Sequence, residues 1–166
     1  MTTASKLSLA LVALLAIGAS SAQAQSANIT ATAVVQTPLT VTGAQALDFG
    51  NVFPGVVKSV APTAATAGRF SIAGQAVAQV ILTFTLPTNL TNGANNLPIG
   101  TWLGGQFATN TQASQTAITP TAPVTTNLGA AGTLFVWLGA TVTPAVAQVA
   151  GTYNGTVTMA VVYTGL

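Results

Sequence analysis

GTYNGTVTMAVVYT, residues 151–164, alternates between two sets of side chains for almost its whole length. A period of two places successive side chains on opposite faces of a β-strand. Threonine, valine and tyrosine are also the residue types that suit a pleated, half-buried surface. The stretch therefore predicts one strand of 14 residues that forms the spine of a sheet. The residues predicted to share one face are Tyr153, Gly155, Val157, Met159, Val161 and Tyr163.

Shorter alternating segments separated by turn residues recur through the rest of the chain, a pattern typical of a β-sandwich. Residues 77–86 alternate most clearly, with Val80, Leu82 and Phe84 predicted to face the core. Residues 133–138 are apolar on both faces, which predicts a central strand. We predict an all-β fold, an antiparallel β-sandwich of about seven to nine strands. The remaining predicted strands are 27–35, 39–42, 56–60, 68–74, 117–119 and 140–142.

The stretches between these strands are predicted to be irregular. Residues 88–98 are rich in Asn and Gly, and Asn92-Gly93 is the dipeptide best suited to a tight turn. Residues 100–107 place Trp102 among glycines, which indicates a loop. Residues 109–127 form a stretch of low complexity that is rich in Thr, Gln, Ala and Pro.

Residues 1–24 have the organisation of a secretory signal peptide. Lys6 supplies the positive charge, residues 7–17 the apolar core, and Ala22-Gln23-Ala24 a small-x-small cleavage site. An uncleaved membrane anchor is the alternative, but the apolar run is too short to span a bilayer. We expect cleavage and export through the periplasm to the exterior or surface of a bacterial cell. Residues 25–166 then form a single β-sandwich domain without a membrane span.

Very few charged side chains remain after the leader is removed. Removing 24 of the 166 residues leaves 142, and the net charge falls from +2 to +1 with the loss of Lys6. Globular proteins are usually about one quarter charged. Without a basic patch, we expect no nucleic-acid partner. A nearly uncharged surface lacks mutual repulsion, so self-association is expected, and adaptation to an acidic habitat is the alternative explanation. The remaining charged residues are Asp48, Lys58 and Arg69.

The composition also argues against catalysis. General acid–base and nucleophilic mechanisms need titratable groups held within reach of each other. The chain has no His and no Cys, and Asp48 is its one acidic residue. A hydrolytic triad, a transition-metal site and a phosphate-binding glycine loop therefore all lack their residues. We expect a protein that is not an enzyme and that uses no cofactor and no metal.

A few side chains invite a functional interpretation beside a structural one. Asp48 is predicted to accept backbone N–H bonds at the turn that follows it. Lys58 and Arg69 are predicted to be solvated charges at a sheet edge. Trp137 is predicted to be a core residue. Trp102 is equally compatible with a core position and with contact to a ligand such as a sugar ring, and it is the one candidate binding residue.

Two clusters together resemble a known family. The first is Leu47-Asp48-Phe49-Gly50-Asn51-Val52 followed by Pro54-Gly55, and the second is the alternating Gly151–Tyr163 ribbon quoted above. They look like the bacterial family called domain of unknown function 4402, and are similar, more distantly, to spore coat protein U-like and archaic chaperone–usher pilin domains. The resemblance covers essentially all of the mature chain. It implies an exported immunoglobulin-like sandwich, completed by a neighbour's strand in the pilin-like cases.

Two functions follow as hypotheses. The first is a non-enzymatic, pilin-like structural subunit of a cell-surface fibre, coat or matrix, in which a terminal strand adds to the sheet of a neighbour. The second is a monomeric extracellular module that binds polysaccharide through Trp102 and the predicted loop at 88–98. The first predicts assembly by the purified protein, and the second predicts ligand binding without assembly.

Overall fold

The regular structure of this chain is almost entirely β-strand. The computed structural model describes residues 25–165, and the predicted signal peptide at 1–24 lies outside them. Within the described residues there are ten strands and one single-turn 3-10 helix, Gln112–Ser114. The strands are β1 Thr40–Gln45, β2 Lys58–Val60, β3 Gly68–Ala73, β4 Gln79–Thr85, β5 Asn89–Asn92, β6 Asn95–Phe107, β7 Thr116–Ile118, β8 Val124–Asn127, β9 Thr133–Val142 and β10 Thr158–Tyr163.

The strands form two antiparallel sheets of unequal size. The larger has the order β1-β3-β9-β6-β5, with β2 paired to β9 and β7 paired to β6, and the smaller has the order β10-β4-β8. Ile72 of β3, Leu82 of β4 and Val136 of β9 meet in one buried cluster, so the two sheets pack against each other. This confirms the predicted all-β antiparallel sandwich. Ten strands exceed the seven to nine predicted, because two irregular regions hold additional short strands.

Strand β9 is the centre of the larger sheet, as its apolar character on both faces predicted. Its inner face places Leu134, Val136 and Leu138 at 0–2% exposure in the core between the sheets. Its outer face carries Trp137, which is 2% exposed and therefore a core residue, as predicted. The main inner cluster consists of Ile72, Val80, Leu82, Leu128, Leu134, Val136, Leu138 and Met159.

The segments around Pro62 and around Gln112 cover the outer face of the larger sheet. Side-chain amides, rather than ion pairs, hold this outer cover in place. Gln112 Nε2 donates to the carbonyl oxygens of Pro62 (2.6 Å) and Ala64 (2.8 Å). Gln115 Nε2 donates to the same Pro62 oxygen (3.2 Å). Arg69 was predicted to be a solvated charge at a sheet edge, but β3 lies between β1 and β9, and the side chain is half-buried. It lies beside Trp137 in the sheet and donates to the side chain of Asn110 (2.9 Å). The segment from Asn110 to Gln115 is thereby fixed over the sheet by bonds that require almost no charge.

Tyr163, the last residue of β10, joins three parts of the chain. Its hydroxyl donates to the Thr37 carbonyl oxygen (2.7 Å) and accepts from the Gln75 backbone N–H (2.6 Å). Gln75 Oε1 in turn accepts from the Thr37 hydroxyl (3.1 Å). A Cβ at Gly74 would lie 2.5 Å from the Tyr163 hydroxyl and 2.7 Å from Leu39, so only glycine fits at this position.

The closing ribbon differs from the prediction in length and position. Only Thr158–Tyr163 is strand, and it lies at the edge of the smaller sheet rather than at its centre. The pairing stops at Thr158 and Thr85 because β4 ends there, two residues before Pro87. Proline donates no backbone hydrogen bond and interrupts a strand. The predicted alternation of burial nevertheless continues upstream, since Tyr153 and Val157 are half-buried and their neighbours are exposed.

Further predictions of secondary structure are wrong. Residues 27–35 carry no strand, although their side chains alternate. Residues 88–98 are not a loop but the hairpin of β5 and β6, and residues 100–107 continue β6 instead of forming a second loop. The turn of that hairpin does fall at the predicted Asn92-Gly93, where Gly93 has a φ of 57°, a value glycine adopts freely.

No helix within residues 25–165 is long and apolar enough to cross a membrane.

Replacing Gln112 by alanine should destabilise the fold measurably. The substitution removes two hydrogen bonds to the backbone carbonyl oxygens of Pro62 and Ala64, each worth about 0.5–1.5 kcal/mol, so the expected loss is about 1–3 kcal/mol in total. The measurement is the free energy of unfolding in urea. The matched control is Gln36→Ala, an exposed position outside the strands, which should change it by less than about 0.5 kcal/mol. Equal values for the two variants would contradict the role given to Gln112.

The stability of the mature chain should depend weakly on pH in the acid range. Stability changes with pH only through groups that titrate, and Asp48 is the one acidic side chain. With so few titratable side chains, thermal unfolding followed from pH 7 to pH 3 should shift the midpoint by no more than about a few degrees. Cooperative acid unfolding above pH 3 would rule this out.

Candidate functional site

The main concave feature of the described residues is a cleft at one end of the sandwich. We define the cleft by its two walls, residues 43–54 and residues 148–157, and by a floor on β6 and β9. Its volume is about 1080 Å³. The floor is apolar, with the buried side chains of Leu97, Ile99 and Val142 and the half-buried Trp102. The cleft is therefore an open continuation of the hydrophobic core.

The cleft exists because the smaller sheet covers only part of the larger one. Beyond Thr158 no strand of the smaller sheet continues over the C-terminal half of β9. Residues 151–157 run over this region with strand-like alternation of burial, but within the described chain their one β-bridge is between Asn154 and Thr91. A stretch of backbone with free hydrogen-bonding groups thus borders an apolar floor.

The 148–157 wall is held in place by neutral hydrogen bonds around Tyr153. The Tyr153 hydroxyl donates to the Val149 carbonyl oxygen (2.7 Å) and accepts from Gln148 Nε2 (2.7 Å). Gln148 Nε2 also donates to the Asn96 carbonyl oxygen on β6 (3.1 Å). The ring of Tyr153 packs against the floor cluster. This wall is consequently anchored to the sheet at its start, although its strand pairing within the described chain is limited to the single bridge at Asn154.

The opposite wall is shaped by the only acid in the chain. Asp48 Oδ1 accepts the backbone N–H of Gly50 (2.7 Å), which is the structural role predicted for it. Lys58 Nζ donates to the carbonyl oxygen of Asn51 (2.8 Å) and closes the same turn. Leu47, Phe49 and Val52 pack against the floor cluster from this side. Asp48 is an exposed turn residue, and the other side chains that line the cleft are uncharged.

Trp102 reaches the cleft through an irregularity in β6. The pairing of β6 with β9 shifts between Gly100 and Leu103, where β6 has one more residue than its partner. Thr101 lies in this bulge with a φ of 48°. Threonine is β-branched and positive φ is strained for it. The bulge places Trp102 on the floor and leaves Leu103 52% exposed.

Trp102, the one candidate binding residue predicted from the sequence, lies on the cleft floor. It is separated from the aromatic pair on the outer face of β9, Phe135 and Trp137, whose ring centroids are 6.2 Å apart. The alternation of the sequence correctly predicted that Tyr153 lies on the buried face. It did not indicate that this residue lines a cleft. The sequence feature that could have indicated a segment outside regular strand pairing is the group of two glycines and one asparagine around Tyr153, namely Gly151, Asn154 and Gly155.

The cleft presents mostly apolar and uncharged groups. Within residues 25–165 no group of three His, Cys, Asp or Glu side chains could hold a metal ion. The cleft offers apolar contacts, amide groups and the backbone of residues 151–157, which is paired only at Asn154. Such a surface suits an uncharged, extended partner that can both bury apolar side chains and form backbone hydrogen bonds.

Replacing Thr101 by glycine should stabilise the protein. Relief of the left-handed backbone penalty is worth about 1–2 kcal/mol, and the added flexibility of glycine opposes it by about 0.5–1 kcal/mol. We expect a net gain of about 1 kcal/mol in urea unfolding. Thr85→Gly, at an exposed and regular position of β4, is the control and should lose about 1 kcal/mol. A loss of stability in both variants would show that Thr101 is not strained.

Comparison with known proteins assigns no family to the chain. No protein-family model matches it, and neither does any curated protein. The resemblance to domain of unknown function 4402 stays a prediction that rests on the motif around Leu47 to Gly55 and on the closing ribbon. The function is accordingly inferred from the cleft and its surroundings.

Proposed function

We propose that the protein is an exported, non-enzymatic structural subunit of a bacterial cell-surface fibre, coat or matrix, and that its subunits associate by strand addition. The single observation that carries the proposal is the cleft, where residues 151–157 border an apolar floor and have only one β-bridge within the described chain, between Asn154 and Thr91. An exposed strand edge is a template for pairing with another chain. Export is proposed on the composition of residues 1–24.

The proposed occupant of the cleft is the segment 27–35 of a second copy. This segment alternates in the manner of a strand, and it has no strand pairing in the structure. Its apolar side chains are almost fully exposed, with Ile29 at 96%, Val34 at 85% and Val35 at 93%. Burial of aliphatic side chains and pairing of free backbone groups both favour its insertion into a neighbour.

Length and charge support the same occupant. Nine extended residues span about 30 Å, enough to cover residues 151–157, which span about 23 Å. Residues 25–36 contain no charged side chain, and Asp48 is the one charged residue that lines the cleft. Insertion therefore requires no desolvation of an ion pair, a step that often cancels the gain from burial. The pilin-like resemblance, which implies completion by a neighbour's strand, agrees with this assignment.

Assembly of the purified exported protein tests the proposal. Size-exclusion chromatography with light scattering should find oligomers that grow with protein concentration, and electron microscopy should find filaments or a lattice. Ile29→Asp should abolish assembly, because a carboxylate would enter an apolar cleft. Thr32→Asp, on the other face of the segment, is the matched control and should assemble. Monomers at all concentrations of the unaltered protein, or assembly by both variants alike, would refute strand addition.

A polysaccharide-binding module is the second candidate function. Its specific support is that Trp102 and Tyr153 line one open cleft together with the amide of Gln148. Aromatic faces and amides suit uncharged sugars. Residues 88–98 form a hairpin and not the loop to which this hypothesis assigned part of the binding. A glycan array distinguishes the two functions. The binding module alone is supported if the unaltered protein stays monomeric and binds a glycan, and if Trp102→Ala loses that binding.

A further inference from the structure

The bulge in β6 decides which side chain that strand offers to the cleft. Before it, Leu97 and Ile99 face the floor cluster, and an uninterrupted alternation would continue with Thr101 and Leu103. The extra residue shifts the alternation by one position, so that Trp102 faces the floor instead. The shift is a local change of backbone that selects an indole for the cleft.

The arrangement has two disadvantages for the isolated subunit. The bulge holds a β-branched residue, Thr101, at a φ of 48°, and it exposes an apolar side chain, Leu103, on the outside. A regular strand of the same sequence would place Leu103 on the floor, but it would also turn Gly104 to Phe107 to the opposite faces of the sheet. Residues in strained backbone conformations cluster at binding sites. The strained bulge and the half-buried indole that it places on the cleft floor together point to contact between Trp102 and something that enters the cleft.

We infer that Trp102 is the specificity-determining residue of the cleft and that its indole receives an aliphatic side chain from the Ile29 face of the incoming segment. This inference rests on the proposed strand addition. On that face Ile29 and Val35 are separated by Ala31 and Ala33, so the two larger side chains are the ones able to reach the floor. Large aromatic side chains at the centre of an interface commonly carry most of its affinity.

The test uses the purified exported protein and a synthetic peptide of residues 25–36. The chain has two tryptophans, so Trp137→Phe leaves Trp102 as the sole reporter of indole fluorescence. Saturable movement of its emission to shorter wavelength is expected as the peptide covers the indole. A peptide with Ile29→Ser should bind at least about tenfold more weakly than one with Val34→Ser, whose changed side chain lies on the opposite face.

Variants of the protein complete the test. Trp102→Ala should weaken peptide binding by at least about tenfold, and the adjacent Leu103→Ala should leave it within about twofold. Equal affinity of Trp102→Ala and the unaltered protein for the peptide would overturn the inference while strand addition stands. Peptide binding that leaves the Trp102 emission unchanged would overturn it equally, and this measurement needs no variant at Trp102 to fold. Failure of both the peptide and a second copy of the chain to bind would instead refute the proposed function.

Discussion

The cleft of this molecule begins where β10 loses its pairing with β4. Strand β4 ends at Thr85, and Pro87 prevents its continuation, so the smaller sheet stops halfway along β9. The residues upstream of Thr158 keep the alternating burial of a strand but have almost no strand pairing in the described chain. One proline thereby leaves an apolar floor uncovered and a length of backbone free to bond.

The rest of the structure is stabilised with almost no use of charge. Side-chain amides perform the tasks that ion pairs often have in other proteins, as the bonds of Gln112 to the outer cover and of Gln148 to Tyr153 illustrate. Each neutral hydrogen bond contributes only about 1 kcal/mol, but its energy does not depend on salt or pH. A surface built in this way keeps its structure in varied surroundings, and it also lacks the repulsion that would keep copies apart.

The sequence predicted burial better than it predicted pairing. The alternation in residues 77–86 and the apolar character of residues 133–138 on both faces identified core strands correctly, because the side chains there report directly which faces are buried. The same signal identified Tyr153 and Val157 as inward-facing, but the length of the strand depended on a proline far away in the chain. Trp102 could not be placed from sequence, since a one-residue shift of register decides its face and leaves no periodic signal. The hairpin at 88–98 was missed because Asn and Thr dominate its strands.

The hydrogen bonds of Tyr163 bear on how such a subunit would carry mechanical tension. The N-terminal segment leaves the sandwich at Thr37, where the tyrosine hydroxyl ties it to Gln75 and to the last residue of β10. Pulling on that segment would load the bond between the hydroxyl and Thr37 first, and the covalent chain would then pass the force into β1 and its pairing with β3. One phenol group would therefore be the first contact to yield if the N-terminal segment were put under tension.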